Sequence, residues 1–460
     1  MYAATHPLNP QDFILKTRLS SLDIVALGFM TFALFLGAGN IIFPPQVGQG
    51  AGAEFWPAAL GFLATGVGMP LAGIVAVAVI GGGLDKITSP LPKWAAAAFG
   101  VAIYLSIGPM FAIPRTGTVA FEMGMRPFIN MTPQSGLALH SVLFFGIATL
   151  IALSPGKLMD VVGKWLTPLL IALLALIATF TIINPQGPLG PVSPEWAESP
   201  FMTGFQQGYL TMDALASMVF GILIVSAIKA RGVTATADVT RYTLWAGAIA
   251  AICLAAVYLP LTYMGATSHA LVTEAGKGEL IPVYVEALFG DAGKLILALV
   301  ITLACLTTAV GLLTSCGEFF NRLLPAVPYR ALVVVMAIAS ALIANLGLAA
   351  LISISIPVLV TLYPLVLVLT LLSYLRPHLH DAPRVFTWSL GLTLLVSLLD
   401  GFEASGIDTL MAISHRIEPL LPLASMNLGW LAPALMGLII GLLTSRREQS
   451  NLDPELIRNS

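Results

Sequence analysis

Charge is what this chain has least of. Only 10% of its 460 residues are Asp, Glu, Lys or Arg, against roughly 25% in ordinary soluble domains. Because 57% are hydrophobic, folding as a water-soluble domain is excluded. Cysteine is scarce as well. Cys253, Cys305 and Cys316 lie in or beside apolar stretches without CxxC spacing, so they read as small buried hydrophobes rather than disulfide partners or metal ligands. The histidines form no metal-spaced cluster, and HExxH and GxSxG are absent, which argues against an intramembrane enzyme. No TVGYG run marks an ion-selective filter. The stretch before residue 20 lacks the charged, apolar and cleavage regions of a signal peptide, so the first apolar block is expected to act as its own signal.

What the chain does have is long apolar runs. A bilayer core needs about 20 apolar residues per helical span, and twelve such blocks occur, near 22-46, 55-80, 95-114, 138-154, 161-183, 206-228, 241-265, 292-314, 329-346, 350-374, 385-400 and 424-444. The predicted fold class is therefore an all-α polytopic membrane protein with twelve transmembrane helices. Positive charge sets its orientation. With a cytoplasmic N-terminus, the inner segments hold sixteen of the 21 basic residues: Lys16, Arg18, Lys86, Lys93, Lys157, Lys164, Lys229, Arg231, Arg241, Arg322, Arg330, Arg376, Arg384, Arg446, Arg447 and Arg458. The loop 184-205 has none. Both termini are thus expected in the cytoplasm.

Loops are short apart from 115-137, 184-205 and 266-291, so function must lie inside the bundle. In lipid, a helix break is tolerated only where it lines a polar cavity. The first block runs Leu36-Gly37-Ala38-Gly39-Asn40-Ile41-Ile42-Phe43-Pro44-Pro45, with two glycines and an amide at mid-span. That pattern serves either close helix packing or an unwound segment that a ligand approaches. The sixth block runs Gly208-Tyr209-Leu210-Thr211-Met212-Asp213 and continues through Ser217 and Phe220, placing an acid and hydroxyls among apolar residues. Interruptions five spans apart point to an inverted-repeat transporter whose half-helix ends hold substrate and ion. The repeats would be 21-184 and 185-376, followed by two further spans over 377-445 and flanked by cytoplasmic tails 1-20 and 446-460.

Consecutive hydroxyls at Thr307 and Thr308 in the eighth block either bond back to their own helix or, with carbonyls freed by the first break, ligate a cation. Asp213, an acid at membrane depth, could contact a substrate amine, carry a proton or cap a half-helix. Arg115 and Glu122, seven apart, share a helical face and suit a gate or an ion pair. Asn345 reads as a helix cap.

Together with Gly108-Pro109-Met110-Phe111-Ala112-Ile113-Pro114-Arg115-Thr116 and Cys305-Leu306-Thr307-Thr308-Ala309-Val310-Gly311-Leu312, these stretches resemble the branched-chain amino acid:cation symporter family (BrnQ, the system II carriers) of the amino acid-polyamine-organocation superfamily. The likeness extends from Lys16 to the last block. It implies a LeuT-type 5+5 inverted repeat in a bacterial cytoplasmic (inner) membrane, importing leucine, isoleucine or valine with a cation, sodium before a proton, with a symporter of another small neutral solute as the alternative. By motif it carries a sodium site onto the Ala33, Leu36 and Ala304 carbonyls and the Thr307 and Thr308 hydroxyls. It carries a substrate site onto Leu36, Gly37, Ala38, Gly39, Asn40, Met110, Phe111, Tyr209, Met212, Asp213 and Phe220. Relatives with a second sodium use a seventh-span asparagine, and none stands here, so the resemblance does not extend to a second cation. The expected partners are the amino acid and membrane lipid, with no nucleic acid, organic cofactor or obligate protein partner.

Overall fold

The structure, a computed structural model, describes residues 18-154, 162, 164, 166-272, 279-417, 419, 421-424 and 428-445. Most of both tails, and with them Lys16, Lys157, Lys277, Arg446, Arg447 and Arg458, lie outside the described residues. Every regular element among the described residues is helical.

Each apolar block coincides with helix. The first carries α1 (Ser21–Phe35) and α2 (Ala38–Ala51), and the second α3 (Phe55–Leu63) and α4 (Met69–Ile80). After the short α5 (Leu84–Ile87), the third block holds α6 (Lys93–Leu105) and α7 (Ala112–Val119); the fourth is α8 (Pro133–Ala152) and the fifth α9 (Thr167–Ile183). The acidic loop forms α10 (Pro194–Ala197), and the sixth block is α11 (Pro200–Gln207) with α12 (Asp213–Lys229). Then come α13 (Thr236–Ala266), a loop helix α14 (Leu280–Phe289), α15 (Asp291–Leu323), α16 (Tyr329–Ala344), α17 (Leu348–Leu375), α18 (Ala382–Ala404), a second loop helix α19 (Asp408–Ile417) and α20 (Leu431–Thr444).

Among the described residues, seven helical stretches are long and apolar enough to cross a membrane, and Pro200–Thr211 with Asp213–Lys229, bent by 46°, make an eighth. That is fewer than twelve, for reasons of length. At 1.5 Å per residue, α1, α9, α16 and α20 hold only 15, 17, 16 and 14 residues, short of a core of about 30 Å. Helix α1 is short because the chain breaks after it, and part of the fifth and twelfth blocks lies outside the described residues.

The helices gather into two compact units. One comprises Met1–Gly83 and Tyr104–Ile352, the other Leu84–Ile103 and Ser353–Ser460. In the second, α18 packs along α20 and also meets α19. The first contains every helix break considered below. Its α1 starts with a reciprocal cap, Ser20 Oγ accepting from Asp23 N at 3.1 Å and Asp23 Oδ2 accepting from Ser20 N at 3.3 Å, which satisfies two otherwise orphaned N–H groups. Its centre is apolar: Phe32, Phe35 and Phe220 are buried, and Phe35 meets Phe220 edge to face at 5.4 Å. Large apolar side chains point outward instead on α8 (Leu150), α13 (Ile252) and α16 (Leu342), as a lipid-facing surface requires.

Candidate functional site

The first break is two residues long. Helix α1 ends at Phe35, Gly37 is extended (φ −111°, ψ −164°), and α2 begins at Ala38. Gly39 and Asn40, expected in the unwound stretch, lie in the first turn of α2, where Asn40 holds the break from inside. Its Oδ1 accepts from Gly37 N at 3.1 Å. Its Nδ2 donates to Asp213 Oδ2 and to the Tyr258 hydroxyl, and Tyr258 in turn donates to the same Asp213 oxygen at 3.3 Å. One amide thus ties α2, α12 and α13 together.

The second break turns on Met212. A 3₁₀ turn over Gly208–Thr211 follows α11, and Met212 then takes a left-handed conformation (φ 67°, ψ 6°) before α12 starts at Asp213. A non-glycine residue there costs roughly 1–3 kcal/mol. Thr211 Oγ1 accepts from Asp213 N at 3.3 Å and donates to Gly208 O at 2.9 Å, satisfying backbone groups the turn leaves free.

A third break was not anticipated. Gly108 has non-helical angles (φ −89°, ψ −127°) next to Pro109, which has no N–H to continue a helix. The kink leads into α7 and its Arg115. Arg115 is 3% exposed, its Nη2 donates to Leu210 O at 3.1 Å, and its guanidinium lies over the Phe43 ring at 5.5 Å.

These three breaks surround one small cavity. Gly37, Ala38, Gly39, Asn40, Met212, Asp213 and Phe220 line it, together with Arg115, Thr211, Ala216, Thr308 and Leu312. The remaining candidates stand elsewhere. Leu36, Phe111 and Tyr209 are buried but outside the lining, Tyr209 packing on Phe205 with ring centroids 5.7 Å apart. Met110 is 43% exposed, because the Pro109 kink turns it away.

Beside the cavity, oxygens converge between α1 and α15. Thr307 Oγ1 lies 3.0 Å from Ala33 O and 3.0 Å from Ala304 O. Thr308 Oγ1 lies 3.4 Å from Ala33 O and 3.1 Å from Leu34 O. Both threonines therefore reach across to the first helix, and Thr307 also bonds along its own. The Leu36 carbonyl stands at the break itself. A small hard cation takes such uncharged oxygens as ligands, so this donor set fits a monovalent ion without burying net negative charge.

One pairing is corrected. Glu122 accepts from Arg126 Nη1 at 2.8 Å, four residues on, rather than from Arg115. The i,i+4 partner sits on the same face with both side chains partly exposed, so it wins over a buried residue two turns back. Sequence reasoning also missed Arg115 and Tyr258 as site residues. Arg115, singled out only as a gate or ion-pair residue, stands just past the third block at the start of the loop 115-137, and Tyr258 carried no signal. Asn345 caps α16 as expected, donating from Nδ2 to Ala341 O at 2.7 Å.

Among solved structures, the chain is similar to a sodium-coupled sialic acid symporter in a substrate-bound outward-open state (13% identity, TM-score 0.63, 96% of this chain and 94% of that one). It is also similar to the nucleobase-cation-symport-1 family transporter Mhp1 facing inward (15%, 0.60, 96% and 95%) and to MhsT with L-phenylalanine (18%, 0.55, 82% and 98%). At these identities the likeness shows the fold alone, the LeuT-type helical fold.

The family follows from sequence. Residues 20–448 match the branched-chain amino acid transport protein family, and the chain belongs to it. Relatives include the branched-chain amino acid transport system 2 carrier protein of Pseudomonas aeruginosa, 48% identical over 94% of this chain and 98% of that protein. The branched-chain amino acid permease BrnQ of Escherichia coli K12 is 44% identical (93% and 97%) and the permease BraB of Bacillus subtilis 42% (93% and 96%). The chain is a transport protein rather than an enzyme, multi-pass in the bacterial inner membrane.

Proposed function

We propose that this protein is a secondary symporter that imports leucine, isoleucine and valine with sodium by alternating access, through twelve spans with both termini cytoplasmic. The observation that carries this reading is the adjacency of two sites. The oxygens of Ala33, Ala304, Thr307 and Thr308 converge within hydrogen-bonding distance, and Thr308 also lines the cavity at the helix breaks. An ion bound there, with the Leu36 carbonyl completing its shell, braces the break that the substrate needs open.

In the cavity, the first turn of α2 presents Ala38 and Gly39 at a positive helix end, suited to a substrate carboxylate. Phe220 and Met212 offer apolar surface to a branched side chain. They do not separate leucine from isoleucine or valine strongly, since one methylene is worth only about 1–3 kcal/mol. Asp213, held by Asn40 and Tyr258, lines the same cavity. Energetically one ion suffices. A cation crossing 100 mV gains about 2.3 kcal/mol and a tenfold gradient adds about 1.4 kcal/mol, enough for several-hundred-fold accumulation. The reading needs no organic cofactor and no protein partner.

The repeat boundaries, 21-184 and 185-376, belong to this reading, and the matching breaks after Phe35 and at Met212 support it. The test is uptake by purified protein in liposomes. Radiolabelled leucine or isoleucine should accumulate only under an inward sodium gradient. Equal uptake in potassium with a pH gradient would favour proton coupling instead, and conversion of the substrate would return the protein to enzymology.

A further inference from the structure

We infer that Arg115 is the anchor for the substrate carboxylate, a role that rests on the symporter reading and adds a residue to it. The guanidinium is almost fully buried and lines the cavity. It forms no salt bridge among the described residues; its hydrogen bond is the one from Nη2 to Leu210 O, and Nε has no partner. Arginine carries five N–H donors in a planar fork, so most of its capacity is unspent. Asp213, on the same cavity, balances the charge from a distance without a salt bridge or hydrogen bond to Arg115, so the unspent N–H donors are left for a group that arrives through the cavity.

Three features say what that group is. Nη2 lies against the first turn of α2: a Cβ at Gly39 would stand 2.7 Å from it. The fork therefore lies beside the first turn of α2 on the cavity they both line, and both favour an anion. Asp213, buried on the same cavity, opposes any ligand with a second negative charge. An α-amino acid with an uncharged side chain meets both demands, one carboxylate for Arg115 and one ammonium on the Asp213 side, and leaves the filled cavity electrically balanced. Gly39 is glycine because the guanidinium occupies the place of its side chain.

The experiment is equilibrium binding to the purified full-length protein, with L-leucine and L-leucinamide as competitors against radiolabelled leucine. Leucinamide keeps the ammonium and the side chain but has no carboxylate. Wild type should prefer leucine strongly. Arg115→Gln should weaken leucine on the order of 100-fold while leaving leucinamide nearly unchanged, so that the preference collapses. Arg115→Lys, which keeps the charge and loses the fork, should bind leucine less tightly and still prefer it. Gly39→Ala, whose Cβ would meet Nη2 at 2.7 Å and the Thr211 backbone at 3.2 Å, should weaken leucine more than leucinamide. If Arg115→Gln does not fold, Arg115→Lys decides the matter by the same comparison of leucine with leucinamide. Leucine and leucinamide weakened in the same proportion, or neither weakened, would overturn the assignment. Wild type that binds another amino acid but no branched-chain one would overturn the substrate reading and leave Arg115 its role; binding none overturns both.

Discussion

Replacing Thr307 by valine removes one oxygen and almost nothing else. Valine keeps the shape of threonine, and the side chain is fully buried between Ala33 O and Ala304 O, 3.0 Å from each. A hydroxyl donates one proton, so without sodium the loss is about one hydrogen bond, roughly 0.5–1.5 kcal/mol. With sodium bound the same oxygen is a ligand to a charge, and interactions of that kind are worth about 1.5–3 kcal/mol. The half-saturating sodium concentration should therefore rise roughly 10- to 150-fold, at 1.4 kcal/mol per factor of ten. Thr307→Ser, which keeps the oxygen, should remain close to wild type. The assay is leucine uptake into liposomes at graded external sodium, with thermal unfolding of the sodium-free protein as the control. Unchanged sodium half-saturation, accompanied by the same small loss of stability, would refute the reasoning and reduce Thr307 to a bond between α1 and α15.

Four further outcomes follow from the same geometry. Asn40→Ala and Tyr258→Phe both remove donors from Asp213 Oδ2, so their effects on unfolding free energy should couple by about 0.5–3 kcal/mol in a double-mutant cycle; additive effects would dissolve the network. Met212→Gly should be more stable than Met212→Ala by about 1 kcal/mol, because only glycine adopts a positive φ without strain; chemical denaturation of both reveals the sign. A Cβ at Gly37 would stand 3.0 Å from Thr308 Cγ2 and 3.1 Å from its Oγ1, so Gly37→Ala should raise the sodium requirement measured in the same liposome assay. Glu122→Gln breaks a partly exposed pair with Arg126 and should cost under about 1 kcal/mol with uptake unchanged, in contrast to any change at Arg115.

Much of the fold was legible because hydrophobic length is a coarse signal that tolerates error. All twelve apolar blocks contain helix, and the breaks after Phe35 and around Met212 fall where glycine and polar residues interrupt apolar runs. Finer placement was less legible. Asn40 was expected in an unwound stretch, but its side chain caps Gly37 N and so draws α2 back to Ala38. Met110 was expected in the pocket, but the kink at Pro109 rotates it outward, and nothing in residue spacing reports a rotation of that kind. Arg115 and Glu122 read as a gate or an ion pair by helical periodicity, which takes no account of Arg126 one turn beyond the acid. Tyr258 joins Asn40 and Asp213 from residues 218 and 45 positions away, a convergence that only tertiary packing creates.

The central claim is that sodium and substrate stabilise one another across the first helix break. Linkage requires that the coupling be reciprocal. Leucine binding to purified protein in sodium, potassium and choline, paired with sodium binding with and without leucine, tests this directly. Sodium should tighten leucine binding, and leucine should tighten sodium binding by the same factor. Leucine affinity that is indifferent to sodium but follows pH would contradict the account.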